Sequence, residues 1–235
     1  MRRFLLIISA LITTLQLSAQ ESSSMSNTAA KEGLSSFTAI DVDAPIKLTL
    51  INIAHSEVPY IEYDTKGVYT SKFSAEVDNN GTLKIRERYD SKRESITEVK
   101  VYYNTLEDIC IDKADVMVVG TLDSPLLDIS ISSNANFISD IDTKDLMINI
   151  SGRCRVVITG KALYQTANVA TAEYDASKLS TMATTISGSH NAIIKVDAYQ
   201  RLEASTATGA IISYKSIPEI LRQEVTLFGG EIKQL

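Results

Sequence analysis

The chain has 235 residues, 23 Lys and Arg against 29 Asp and Glu, and a formal net charge of −6. That acidic balance excludes the clustered Lys and Arg that nucleic acid or an anionic membrane surface demands of a partner. Two cysteines without a CxxC spacing and two isolated histidines, His55 and His190, exclude the common zinc signatures.

In chain order, MRRFLLIISALITTLQLSAQ comes first: two arginines, an apolar run over residues 4–12, then a more polar stretch. This is the layout of a cleavable secretory signal peptide, and the apolar run is too short to span a bilayer. Cleavage is expected after Ala19, with Gln20 as the alternative. Without these residues the chain carries 21 basic against 29 acidic groups, a net of −8. No cysteine lies near the junction, so an exported, soluble protein is expected, without acyl anchor or membrane insertion once the leader is removed. Residues 20–33 (QESSSMSNTAAKEG) are small, polar and aperiodic and read as a disordered spacer.

From Phe37 the composition turns to short β-type runs. Residues 46–50 (IKLTL) alternate apolar and polar, as a half-buried strand does, and residues 58–63, 73–77 and 99–102 are further candidates. DNNG at 78–81 joins the run at 73–77 to a further one at 83–86, and Asn-Gly is the strongest short hairpin signal because both residues tolerate positive φ. The basic run over residues 84–94 interleaves acids with bases and reads as a solvated strand and turn. Residues 34–105 thus form an N-terminal β section, or cap. Only residues 218–225 (PEILRQEV) carry a helical period.

Residues 106–235 repeat. A short polar turn followed by apolar residues recurs at Asp112, Ser132, Ser151, Thr171, Ser187, Thr206 and Leu227, at intervals of 20, 19, 20, 16, 19 and 21. A strand-built chain completes one coil of a parallel β-helix in about twenty residues, and successive coils pair about 4.8 Å apart. No coil buries its inward face alone, so several stack and equivalent apolar residues form columns. Ile111, Ile131, Ile150, Ala170 and Ile186 are expected to form one column; Met117, Phe137, Val156, Ala176, Ala192 and Ile211 form another. The fold class is all-β: a parallel β-solenoid of about six coils behind a short N-terminal β section. The alternative is an antiparallel β-sandwich, which should show hairpin turns every 8–12 residues or so; after Gly81 there are no such signals. In the solenoid register Cys110 and Cys154 fall two coils apart, about 9.6 Å, beyond the roughly 7 Å reach of a disulfide. Two free, packed thiols are expected.

Several features together resemble one family. They are the opening F-x-x-I-x-V-x-A-P (Phe37, Ile40, Val42, Ala44, Pro45), the V-x-x-x-G-x-L-K-I hairpin (Val77, Gly81, Leu83, Lys84, Ile85), the serial S-G turns, and the ending I-x-Y-K-x-x-P (Ile212, Tyr214, Lys215, Pro218) before Gly229 and Gly230. The chain is similar, from about Phe37 to Ile232, to the "putative auto-transporter adhesin, head GIN domain" family of exported Bacteroidetes-type proteins. It departs from the pattern at Asp112, Ser132 and Thr171, where the usual turn glycine is missing. The resemblance implies an exported β-helical protein with an adhesive or envelope role, and no activity to carry over residue by residue.

Three functions follow as expectations. A glycan or protein ligand at the cell surface would be captured by exposed aromatics with nearby hydrogen-bonding groups, for which Tyr164, Tyr174, Tyr199 and Tyr214 are the candidates if two or more share a face. A β-helical lyase or hydrolase of acidic glycans would need paired carboxylates or a calcium site. Asp108 and Asp128, equivalent in adjacent coils, with Asp140, Asp142, Asp145, Arg153 and Arg155, are the candidates there, though an acidic exported surface carries such residues by default. A structural envelope subunit would join copies through uncapped coil ends, as a homo-oligomer. Non-catalytic binding is the reading taken. No catalytic, metal or cofactor residue is assigned, and His55 and His190 are expected on the surface or in turns.

Overall fold

The computed structural model describes residues 29–66, 72–88, 95–226 and 228–235. The expected leader, the spacer up to residue 28 and the second half of the mixed-charge run lie outside the described residues. All 17 strands join one hydrogen-bonded network, wound as a β-solenoid of about 7 turns.

Each coil lays one strand on an A face and one on a B face. The first coil is β2 (Ala39–Asp43) followed by β3 (Lys47–Asn52). The chain then leaves the stack through β4 (Tyr60–Asp64) and β5 (Phe73–Val77), and returns as β6 (Thr82–Glu87) and β7 (Glu98–Tyr103). β6 and β7 pair in parallel with β2 and β3 on their outer side. Next come β8 (Asp108–Asp112) and β9 (Asp115–Asp123), which pair in parallel with β2 and β3 on the inner side. The first coil is therefore sandwiched between the second and third, and chain order differs from spatial order. The residues expected to form a separate N-terminal section supply two coils of the same stack.

From β10 (Leu126–Ser132) the winding is regular. β11 (Asn136–Ser151), β12 (Arg155–Ala170), β13 (Glu173–Ser189) and β14 (Ile193–Thr206) each start on the B face, bend through a short third face, and finish on the A face. The bends fall at register shifts, such as that between Val157 and Thr159. β15 (Ala210–Tyr214), β16 (Ile220–Val225) and β17 (Gly230–Gln234) complete the stack on the B, A and B faces. Residues 220–225, where the sequence carries a helical period, are the strand β16; their 3.6-residue spacing of apolar groups is overridden by pairing with β14. β1 (Ala29–Gly33), expected as the end of a disordered spacer, pairs antiparallel with β4. It is fastened by Lys31, whose ammonium lies 3.7 Å over the Tyr60 ring and 3.3 Å from Glu62, and by the bond from the Tyr63 hydroxyl to Glu32.

Inward columns fill the coil. On the A face Ile40, Ile109, Ile129, Ile148, Ala167, Ile186 and Ala204 follow one another across the strands, beside Val42, Ile111, Ile131, Ile150 and Val169. On the B face the column is Leu48, Val116, Phe137, Val156, Tyr174, Ile194 and Ile212. Burying each large apolar member contributes about 1.5–3 kcal/mol. Both expected columns are therefore right only in part. Val169 takes the place expected for Ala170, Ile186 belongs to the neighbouring column, and Val116 rather than Met117 points inward. Tyr174, Ile194 and Ile212 take the places expected for Ala176, Ala192 and Ile211. At Ile186 and Ala192 the reason is that Ser187-Gly188, read as a turn, lies within β13, and the turn comes at Ser189–Asn191, with His190 and Asn191 both at positive φ.

The corner after each turn carries a second ladder of small, buried residues: Ala44, Ala114, Ala135, Cys154, Ala172, Ala192 and Ala210. From Ala135 onward, the amide following each member bonds back to the previous coil's member, as Arg155 to Ala135 at 3.1 Å and Glu173 to Cys154 at 2.9 Å. Large side chains would hold the coils apart here, which is why the position is Ala or Cys.

Candidate binding site

Of the four tyrosines singled out by sequence, the winding turns two inward. Tyr174 is buried in the B-face column, where the Gln165 amide donates to its hydroxyl at 2.6 Å and Thr184 in turn donates to the Gln165 carbonyl at 3.2 Å. Burial drives its hydroxyl far above the ordinary phenol range. Tyr214 packs against the core from β15. Tyr164 and Tyr199 point outward, 46% and 48% exposed. Both stand at the corner where the third face meets the A face: Tyr164 opens the A-face segment of β12 and pairs with Ala183, which pairs with Arg201, two residues past Tyr199.

A groove of about 430 Å³ runs along this corner. Its floor is the ladder of short side chains that the bend requires, Ser124, Thr143 and Ala162, all buried. The Thr143 hydroxyl bonds the Pro125 carbonyl at 3.3 Å, and the Lys144 amide bonds the same carbonyl at 3.2 Å, so the corner backbone is fixed from coil to coil. Leu163, 45% exposed, and Tyr199 supply apolar walls. Lys144, Lys161, Asp142, Asp123 and Ser180 supply charge and hydrogen bonds along the same edge. The groove touches five successive coils, a length of about 19 Å at strand spacing.

The acidic candidates do not converge. Asp108 and Asp128 are register partners on the outward A face, with Asp41 nearby; burial first, then these two neighbours, raises the Asp108 carboxyl above the ordinary range. Asp140 and Asp142 lie on the third face instead. Asp140 is engaged by two hydroxyls, Thr121 at 2.8 Å and Thr159 at 2.7 Å. Asp145 begins the A-face segment of β11 opposite Leu126. Arg153 is in a turn, and Arg155 is on the B face opposite Asn136 and Glu173. Among the described residues no three Asp, Glu, His or Cys gather as a metal site.

The A face beyond Asp128 is a second surface of interest. Ser130, Asn149, Asn168 and Ser187 succeed one another across the strands, with Asn168 donating to Asn149 at 3.0 Å, and they line a shallow groove of about 500 Å³. Cys110 lies at its rim. Both cysteines are free, as the register implied, but Cys110 is exposed rather than packed, because it takes an outward position on β8 between the inward Ile109 and Ile111. Burial raises the Cys154 thiol, and partial burial together with Asp41 and Asp108 raises that of Cys110. His190 sits in a turn with its ring against Ser189 at 3.0 Å, and His55 is exposed near Thr105 at 3.4 Å.

The family model for "Putative auto-transporter adhesin, head GIN domain" matches residues 36–218. The chain belongs to this family. Similar solved structures include a "putative adhesin" from Bacteroides fragilis, 16% identical, TM-score 0.74, covering 88% of this chain and 96% of that one. A "putative adhesin" from Parabacteroides distasonis is 16% identical with a TM-score of 0.65 and the same coverage of 88% and 96%. A "putative lipid binding protein" from that organism is 18% identical, TM-score 0.69, again covering 88% and 96%. At these identities the likeness shows the fold. No curated protein matches the chain. The corner groove was missed by sequence reasoning. Pro125, Lys144 and Leu163 are unlike one another in chemistry, and only the nineteen-residue register places them in one line.

Proposed function

We propose that this head GIN domain protein is an exported, non-catalytic binding protein that captures an extended glycan along the corner groove. The observation that carries the reading is the alignment of exposed Tyr199 and Leu163 with Lys144, Lys161 and Asp142 on one edge across successive coils. An apolar wall beside charged and hydroxyl groups is what a sugar presents in mirror image: a C–H face for the ring of tyrosine and a rim of hydroxyls for the polar groups. Two lysines in the groove favour a glycan bearing carboxylate or sulfate. The separation of Asp108 and Asp128 from Asp140 and Asp142 onto different faces argues against the lyase or hydrolase alternative. Naming of the family and its structural relatives as adhesins supports a surface role, and the signal-peptide layout of residues 1–19 supports export. The experiment is retention of residues 20–235 on immobilised polysaccharides and matrix proteins, with and without calcium, the washes being assayed for released oligosaccharide. Saturable retention without product supports the proposal. Release of product that a chelator abolishes overturns it in favour of the enzyme.

One observation favours a second reading, lipid binding. Met117, Val119 and Ile138 are 48–53% exposed on the B face and adjacent in register, with Ile51 beside Val119. Solvated strands seldom line up apolar groups this way. Retention on vesicles that Ile138→Lys abolishes would move the reading to lipid.

A further inference from the structure

The two ends of the solenoid are finished differently. At the first end β5 lies antiparallel against β6, and β4 lies antiparallel between β7 and β1, so the parallel stack is closed by strands of another sense. At the other end β16 pairs with β14 and β17 pairs with β15, and among the described residues no strand covers their outer edges. All six residues of β16 are exposed. Leu221 and Val225 continue the inward columns of Leu202 and Thr206, yet are 38% and 54% exposed. Natural sheet edges are usually guarded by inward-pointing charges, bulges or prolines. Here the inward positions are Leu221, Gln223, Val225 and Ile232.

We propose that this open end binds a second copy of the chain, end to end about a two-fold axis, by antiparallel pairing of β16 with β16 of the partner copy. The strand is complementary to itself. With Gln223 on the axis, Leu221 meets Val225 on the inward side and Arg222 meets Glu224 on the outward side, and symmetry makes each contact twice. β17 has the same property: with Ile232 on the axis, Glu231 meets Lys233. Gln223 and Ile232 each lie two residues from the turn end of their strands, so one axis through the flattened coil serves both. Arg222 already holds Glu203 at 3.0 Å, and its five donors can serve a second carboxylate. Opposite charges across the edge set the register, and the apolar inward positions supply burial. Because the far end is capped, the assembly closes at two rather than growing as a fibre.

The test is sedimentation velocity of residues 20–235, which contain every described element, over a roughly hundredfold concentration range, since a self-association constant shows as mass action. The proposal predicts a monomer–dimer equilibrium. Glu224→Arg sets arginine against arginine twice and should weaken the dimer by about tenfold or more, with an unchanged melting profile for the monomer. The double variant Arg222→Glu with Glu224→Arg restores opposite charges across the axis and should restore the dimer. A strictly monomeric protein at all concentrations overturns the proposal. So does a dimer indifferent to Glu224→Arg, which would place the contact elsewhere, or a failure of the double variant to recover, which would refute the antiparallel register. The outcome is independent of glycan retention, so either proposal can fail alone.

Discussion

Gly160→Ala is the most informative single change in the stack. Gly160 sits at the bend of β12 with φ +106, a backbone conformation that L residues rarely adopt, and a Cβ there would stand 2.1 Å from the Ile141 carbonyl oxygen and 2.9 Å from the Ile141 nitrogen of the preceding coil. Two costs add. Forcing a side chain into that conformation costs about 1–3 kcal/mol, and pushing the adjacent backbone aside costs about 1–3 kcal/mol more as overpacking. The sum is about 2–6 kcal/mol. Gly120 provides the control, since its φ is +82 but nothing lies within 4 Å of its Cβ position. Gly120→Ala should therefore pay only the conformational part. Urea unfolding of both variants beside the parent protein measures the difference directly, because the midpoint shifts while the slope stays constant. Equal destabilisation by the two alanines would refute the reasoning, since it would mean that the coils do not approach closely at the bend.

Three further outcomes follow from the same geometry. Thr171 turns the corner at φ 61 where most of its counterparts are Gly or Asn; Thr171→Gly should stabilise the protein by about 0.5–1 kcal/mol, since the strain relieved exceeds the entropy lost, and a loss of stability in urea would contradict this. A thiol reagent should titrate Cys110 alone in the folded protein and both cysteines in denaturant, and the Cys110 rate should rise with pH above the range of an unperturbed thiol; equal native reactivity of the two would contradict the assigned register. Asp108 holds its proton more tightly folded than unfolded, so its ionisation costs stability as pH rises through the raised range. Asp108→Asn should then stabilise the protein at neutral pH by about 0.5 kcal/mol once solvent screening is allowed for, the gain vanishing below about pH 4; a gain that persists in acid would rule out a charge effect.

Much of this architecture is visible in the letters, because the solenoid is encoded by composition at its corners. Small residues such as Ala135 and Ala192 recur where coils crowd, and alternation marks Ile129, Ile131, Ile148 and Ile150 as inward. What could not be read depends on features the alphabet does not mark. Lys113, Ser133 and Thr171 adopt positive φ without glycine, so the true period is blurred. The departure of the chain after β3 and its return as β6 on the outer side has no local signature, since β6 and β8 compete for opposite edges of the same strand. β16 carries a helical spacing of apolar groups and is held extended by its pairing with β14. The corner groove is assembled from short corner runs of three coils with Ser180 and Tyr199 from two more, and none of Pro125, Lys144, Leu163 or Tyr199 is unusual by itself.

The central claim is that ligand capture occurs at the corner groove. Its most direct test is titration of the best-retained polysaccharide into the parent protein, Tyr199→Ala, Lys144→Glu, and Asn168→Ala from the A face, each first shown to melt like the parent. The account predicts that Tyr199→Ala and Lys144→Glu each weaken binding by about tenfold or more, as loss of one aromatic or charged anchor does, while Asn168→Ala binds as the parent does. Undiminished binding by both groove variants, or loss confined to Asn168→Ala, would contradict it.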